Sequence, residues 1–126
     1  MIIHPHKNLT HDYKNIEVIA QIEREYPEMT DEFWRICHEQ YETFCTKQAN
    51  YGPGNIAVGT TLSTPEDIKL SLTGLWFRMN DKIQRLKNLV VLGTPDVVGE
   101  SISDTYQDLS VYGIIAQMVQ RGKWAK

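Results

Sequence analysis

The fold is decided by the stretch Glu100-Ser-Ile-Ser-Asp-Thr-Tyr-Gln-Asp-Leu-Ser-Val-Tyr-Gly-Ile-Ile-Ala-Gln-Met118. Its carboxylates Glu100, Asp104 and Asp108 stand four residues apart, so a helix places them along one narrow strip. The same strip then continues through three apolar residues, Val111, Ile115 and Met118. This pattern predicts a helix that faces a core or a cleft, where unpaired carboxylates would repel each other and lose hydration. A metal ion is the simplest partner for such a cluster.

The length and composition are those of a single globular domain. With 126 residues the chain is large enough for one hydrophobic core, so we expect one domain over 1–126. A formal net charge of −3 gives no basic footprint for nucleic acid. No apolar run reaches a membrane span, and the start, Met-Ile-Ile-His-Pro-His, lacks the regions of a signal peptide. We therefore expect a cytoplasmic protein without a membrane or nucleic-acid partner.

The two cysteines, Cys37 and Cys45, are eight residues apart in one predicted helix, which is too far for an unstrained disulfide. We expect both to be reduced and to lie in the core. A zinc site that includes His38 is an alternative, but the paired spacing typical of zinc ligands is missing.

Apolar periodicity predicts an all-α protein with a four-helix-bundle-like core and an extra short N-terminal helix. The helices are expected at about 12–26, 31–50, 64–92 and 100–121. Thr30 and Thr64 are good N-caps, Pro65 suits a first helical position, and Gly122 suits a C-terminal cap. Strand signals are nearly absent. Residues 1–11, which contain three histidines, are expected to form a mobile arm.

The helix at 31–50 carries the first candidate site residues. Its core stripe is expected to be Phe33, Trp34, Cys37, Tyr41, Phe44 and Cys45. Beside that stripe, Glu39 and Glu42 form a carboxylate pair, which alone is typical of a solvated helix face. Lys47, Asn50 and Tyr51 stand at the entrance of a Gly-rich and Thr-rich loop, where binding residues are often found.

The helix at 64–92 carries a basic strip, formed by Arg78, Lys82 and Arg85. It runs beside a predicted bundle seam, composed of Leu72, Trp76, Met79, Ile83, Leu86 and Val90. Three cations in one line suit phosphate oxygens, which arginine binds in a fork. The alternative is a solvated basic face partly paired with Asp81.

Three segments together resemble a known family. They are Lys47-Gln-Ala-Asn-Tyr-Gly52, Asp81-Lys-Ile-Gln-Arg-Leu-Lys-Asn-Leu89, and the acidic stretch from Glu100 to Tyr112. These segments resemble the nucleotide modification associated domain type 1, which is frequent in phages. Glu39-x-x-Glu42 followed by a later acidic helix also resembles the broader all-α nucleoside triphosphate pyrophosphohydrolases, the MazG and dimeric dUTPase-like group. The resemblance covers about 31–120.

The resemblance implies a homodimer that binds a nucleotide through Mg²⁺ and cleaves it between the α and β phosphates. The implied catalytic and metal-binding residues are Glu39, Glu42, Asp104 and Asp108, with Glu100 as a further metal ligand. The implied substrate-binding residues are Lys47, Asn50, Tyr51, Arg78, Lys82 and Arg85. Such an enzyme would act in nucleotide-pool or modified-nucleotide metabolism.

One departure from the family pattern concerns the last helix, where the family has acids three residues apart and this chain has them four apart. Aligning Asp108 with the family aspartate puts Thr105 at the glutamate position. Two alternatives therefore stay open. One is a binder that holds a nucleotide or nucleotide-derived signal without turnover, as a sponge or regulator. The other is a structural helical adaptor whose acids are merely solvated.

Overall fold

A computed structural model of the chain describes residues 13–126 and contains only helices and loops over that range. Five α-helices follow one another as α1 Ile16–Glu25, α2 Pro27–Tyr51, α3 Gly54–Ala57, α4 Pro65–Leu86 and α5 Ile102–Gln120. A π-helical segment, Lys87–Val91, continues α4. The all-α prediction is confirmed, and the four-helix-bundle arrangement stays a prediction. The expected mobile arm at 1–11 lies outside the described residues.

One helix start agrees with the sequence signals and another does not. Thr64 caps α4 by accepting a hydrogen bond from the Asp67 backbone N–H at 3.1 Å, as its position before Pro65 predicts. The expected cap at Thr30 is wrong, because α2 begins earlier, at Pro27. Pro27 ends α1 and starts α2 at once, since a proline lacks the N–H that a first helical position leaves unpaired anyway.

The acidic stretch forms a helix, but α5 begins at Ile102 and not at Glu100. Ser101 is its N-cap and accepts a hydrogen bond from the Asp104 backbone N–H at 3.0 Å. Glu100 therefore lies before the helix, so the expected stack of three carboxylates on one helical strip is wrong. Gly122 closes the helix with a φ of +67°, a conformation in which glycine has no Cβ to strain.

The chain divides into two compact units, Met1–Glu42 and Thr43–Lys126. In the first unit no described residue of α1 or α2 is buried, and Phe33 is 70% exposed. Cys37 and Cys45, one in each unit, are both free and both exposed. The cysteines are therefore reduced as expected, but their predicted place in a core is wrong, as is most of the core stripe predicted on this helix.

The core of the second unit is built mainly from α4, α5 and the C-terminus. Its buried members are Ile56, Leu75, Ile115, Val119 and Trp124. Phe44 packs against this cluster from α2, which makes it the residue of the predicted stripe that does reach a core. The short helix α3 contributes Ile56 and Ala57 to the interior. Its four residues are too few to show a helical repeat in the sequence.

The face that α4 turns toward the interior differs from the predicted seam. Leu75 is 2% exposed whereas its neighbour Trp76 is 60% exposed. The interior strip passes through Ser71 and Leu75, and the half-buried Arg78, Lys82 and Arg85 continue it at helical spacing. The basic strip thus extends the buried face of α4. Within residues 13–126, no helix is long and apolar enough to cross a membrane.

Candidate functional site

Helices α4 and α5 run antiparallel and meet through a network of charged groups. Lys82 lies at its centre, with its Nζ 3.2 Å from Glu100 Oε1 and 3.1 Å from Asp108 Oδ2. Lys47, from the last turns of α2, approaches the other oxygen of Asp108 at 3.9 Å. Because the basic strip extends the interior face of α4, Lys82 and Arg85 meet Asp108 on α5 and the acids just before that helix. Asp81 makes no ion pair within the described residues, so the alternative of a solvated basic face partly paired with Asp81 does not describe this strip.

The ammonium group of Lys82 stays charged in this setting. Desolvation by partial burial acts to lower the pKa of Lys82, but the hydrogen bonds and charges of Asp108 and Glu100 together outweigh it. The net effect raises the pKa of Lys82 above its ordinary value. Lys82 therefore remains a cation beside Asp108 and Glu100.

Arg85 lies one turn beyond Lys82 and forms hydrogen bonds at the start of α5. Its Nε donates to the Thr105 hydroxyl at 3.2 Å, and its Nη2 donates to the backbone carbonyl of Glu100. Thr105 is completely buried, and its hydroxyl donates a hydrogen bond to the carbonyl of Ser101 at 3.3 Å. Nη2 also lies 3.2 Å from Asp96 Oδ2. Arg85 is thus hydrogen-bonded both to α5 and to the connector that precedes it, residues 92–101.

Asp96 organises the connector that precedes α5. Its Oδ1 accepts hydrogen bonds from the backbone N–H groups of Val98 at 3.0 Å and Gly99 at 3.3 Å. The pKa of the Asp96 carboxyl is lowered most by the hydrogen bond from the Val98 backbone N–H and next by the hydrogen bond from Arg85. A carboxylate with several donors favours its charged form.

Replacing Asp96 with asparagine tests this contribution through its pH dependence. The amide keeps an oxygen for Val98 and Gly99 but removes the charge that faces Arg85, so we expect the variant to be less stable at neutral pH. A carboxyl with a lowered folded-state pKa stabilises the protein above its unfolded pKa, about 3.9. The stability difference from the wild type should therefore disappear as the pH falls through the lower, folded-state pKa. Urea unfolding between pH 7 and pH 3 measures it, with the exposed Asp81→Asn as control; a difference that does not change with pH would contradict the assignment.

A pocket of about 240 Å³ opens beside this network, within the unit Thr43–Lys126. Its polar lining comes from α2, α4, α5 and the segment around α3, and comprises Thr43, Lys47, Gln48, Tyr51, Asn55, Arg78, Gln107, Asp108 and Tyr112. Its apolar floor is Phe44, Ile56, Val111 and Ile115. A concave apolar floor with a few converging polar groups is the usual form of a small-molecule site.

The structure divides the predicted site residues into three groups. Lys47, Tyr51, Arg78 and Asp108 line the pocket. Glu100, Lys82 and Arg85 belong to the adjoining ion-pair network. The remaining four are exposed and line neither, and they are Glu39, Glu42, Asn50 and Asp104.

The pocket also contains polar residues that the sequence reasoning missed. Gln48 and Asn55 lie in the predicted binding region, but amides carry no periodic signal there. Tyr112 stands one turn after Asp108 on the same strip of α5 and next to the buried Ile115. That spacing alone could have identified Tyr112 as a lining residue.

The acids do not assemble into a metal centre in the part of the chain that the structure describes. Over residues 13–126, no three His, Cys, Asp or Glu side chains are grouped so that they could hold a metal ion. Asp108 already has a lysine near each of its oxygens, and Glu100 faces Lys82 and Arg85. The charged side chains of Lys47, Lys82 and Arg85 thus pair with these carboxylates, where a metal ion was expected.

No family model, curated protein or solved structure matches the chain. The chemistry of the pocket must therefore be argued from its own residues.

Proposed function

We propose that the protein binds a nucleotide in this pocket and holds its phosphate against Lys47 and Arg78. The observation that supports this most directly is the state of these two cations. Lys47 is only loosely paired, at 3.9 Å from Asp108. Arg78 donates to the backbone carbonyl of Asn55 at 3.3 Å, and no carboxylate lies within ion-pair distance of it among the described residues. Both therefore keep donors for an anion.

The rest of the lining suits the base and sugar of a nucleotide. The rings of Tyr51 and Tyr112 offer faces on which a base can stack. The side-chain amides of Gln48, Asn55 and Gln107 each offer both a donor and an acceptor to base edges or hydroxyls. A phosphate, an aromatic ring and several hydrogen-bonding edges are the parts of one nucleotide, and the pocket offers a partner to each.

Calorimetric titration of the protein with a panel of nucleotides tests this proposal. A hydrogen bond to a charged group contributes about 1.5–3 kcal/mol, so we expect Lys47→Ala and Arg78→Gln each to weaken binding by about 10–100-fold. Lys69→Ala, which removes an exposed lysine elsewhere on α4, should bind like the wild type. Failure of every nucleotide to bind, or equal loss in Lys69→Ala, would contradict the proposal.

A second candidate is the Mg²⁺-dependent pyrophosphohydrolase that the family resemblance implies. It is favoured by one observation: Asp104 lies one turn from Asp108 on α5, is exposed, and has no ion pair within residues 13–126. The described residues do not form a magnesium site by themselves. Pyrophosphate release in the same titrations with Mg²⁺, abolished in Asp108→Asn, would favour this candidate; recovery of intact ligand would favour the non-hydrolytic binder.

The expected homodimer and the expected cytoplasmic location, in a bacterial host if the gene is phage-borne, remain part of the proposal. Trp76, Ile83 and Val90, which repeat at seven-residue spacing, are all more than half exposed. This column of the predicted seam supplies apolar surface that a second copy would cover.

A further inference from the structure

We propose that Asp108 limits the ligand to one phosphate, so that the pocket selects nucleoside monophosphates over diphosphates and triphosphates when no divalent cation accompanies them. This inference rests on the proposed nucleotide-binding function. It makes Asp108 a specificity-determining residue. The observations that carry it are the charge balance of the pocket wall and the size of the pocket.

The charge balance follows from which ionic groups reach the pocket. Two cations, Lys47 and Arg78, and one carboxylate, Asp108, line it. A phosphate monoester carries a charge of about −1.5 to −2 at neutral pH, so with Asp108 counted the lining already holds less positive charge than one phosphate carries negative charge. Each further phosphate adds negative charge without a further cation in the lining and brings that charge toward Asp108.

Lys82 does not relieve this repulsion. Its ammonium group lies 3.1 Å from Asp108 but also 3.2 Å from Glu100, so its single positive charge is shared between two carboxylates. The side chain is outside the pocket lining. Lys82 instead holds the Asp108 carboxylate in place through its contact at 3.1 Å, so that the carboxylate cannot easily turn away from an incoming anion.

The volume of the pocket points the same way. At about 240 Å³, it lies below the range of about 300–1,000 Å³ that is usual for ligand pockets. The apolar floor and the two tyrosine rings take part of that space for the base. A phosphate chain beyond the first group would have to extend past Asp108.

The test is a titration of the full chain with the nucleoside monophosphate, diphosphate and triphosphate of each common base, in EDTA. Like charges placed next to each other oppose binding, and we expect the wild type to bind the best monophosphate about tenfold more tightly than the corresponding triphosphate. In Asp108→Asn this ratio should fall by about tenfold, because the added phosphates then meet a neutral amide. Asp108→Glu, which restores the charge, should restore the preference.

Asp81→Asn is the matched control, since it removes the same charge from an exposed position on α4 and should leave the ratio unchanged. Far-ultraviolet circular dichroism establishes that each variant is folded, and Asp108→Ser, which also removes the charge, provides the reading if Asp108→Asn does not fold. Equal or tighter binding of the triphosphate by the wild type in EDTA would overturn this inference alone. So would a ratio unaffected by Asp108→Asn. Absence of binding by any nucleotide would overturn the proposed function, and this inference with it.

Discussion

Replacing Trp124 with alanine should lower the free energy of unfolding by about 3–5 kcal/mol, the usual cost of removing a large aromatic side chain from a core. Trp124 is 5% exposed and belongs to the buried cluster of the second unit. Its ring meets Phe44 edge to face, with centroids 6.0 Å apart. Its indole N–H donates to the carbonyl of Pro53 at 3.1 Å. The Trp124 side chain therefore contacts both the C-terminal half of α2 and the turn that leads into α3.

Trp124→Phe separates the two contributions of this residue. The phenyl ring keeps most of the packing but cannot donate to Pro53, so the loss should be only about 1 kcal/mol. Urea unfolding followed by circular dichroism measures both variants without relying on tryptophan fluorescence. Equal stabilities of Trp124→Ala and Trp124→Phe would show that ring packing contributes nothing here. Because Phe44 also lines the pocket, we expect the alanine variant to weaken nucleotide binding as well.

Sequence chemistry predicted the helix class and several helix ends because those signals are local. Thr64 before Pro65 caps α4, and Gly122 closes α5 with a positive φ, as hydrogen bonding and backbone sterics require. The start of α2 was placed too late, at Asp31, because a proline that follows one helix can also be the first residue of the next. The short helix α3 has no period long enough to detect.

The buried face of α4 could not be chosen from periodicity. Leu75, Trp76 and Phe77 are three consecutive large apolar residues, so several helical faces look equally apolar. The structure buries Leu75 and exposes the two aromatic rings. Only the tertiary partner decides between such faces, and this choice also turned Lys82 and Arg85 toward Asp108 on α5 and toward the acids that precede this helix. The cation set was recognised from sequence, but its partners were not.

Replacing Arg85 with methionine should lower the free energy of unfolding by about 2–3 kcal/mol. This is the usual contribution of hydrogen bonds in which one partner is charged. Methionine keeps the apolar stem but offers no donor. The hydroxyl of the completely buried Thr105 then loses the donor Nε, 3.2 Å away. The Glu100 carbonyl and Asp96 lose theirs too. The partly exposed ion pair with Asp96 adds little, since solvent screens it.

Arg85→Lys tests whether charge or geometry matters. A lysine keeps the positive charge but cannot place donors on Thr105, Glu100 and Asp96 at once, because it lacks the planar fork of a guanidinium. We therefore expect it to recover only a minor part of the loss, whereas Lys69→Met, an exposed change on the same helix, should have little effect. Full recovery in Arg85→Lys would contradict the geometric account.

The consequence for the pocket can be followed by hydrogen exchange. Arg85 fastens the connector and the first turn of α5, and Asp108 lies on the next turn of that helix. Arg85→Met should therefore speed amide exchange at the start of α5 more than around Ile115, which the apolar core holds separately. Lys82 and Asp108 would then be paired less firmly, and selection by phosphate number should weaken in parallel. Uniform exchange along α5 would mean that Arg85 stabilises the whole fold equally and does not position the pocket carboxylate.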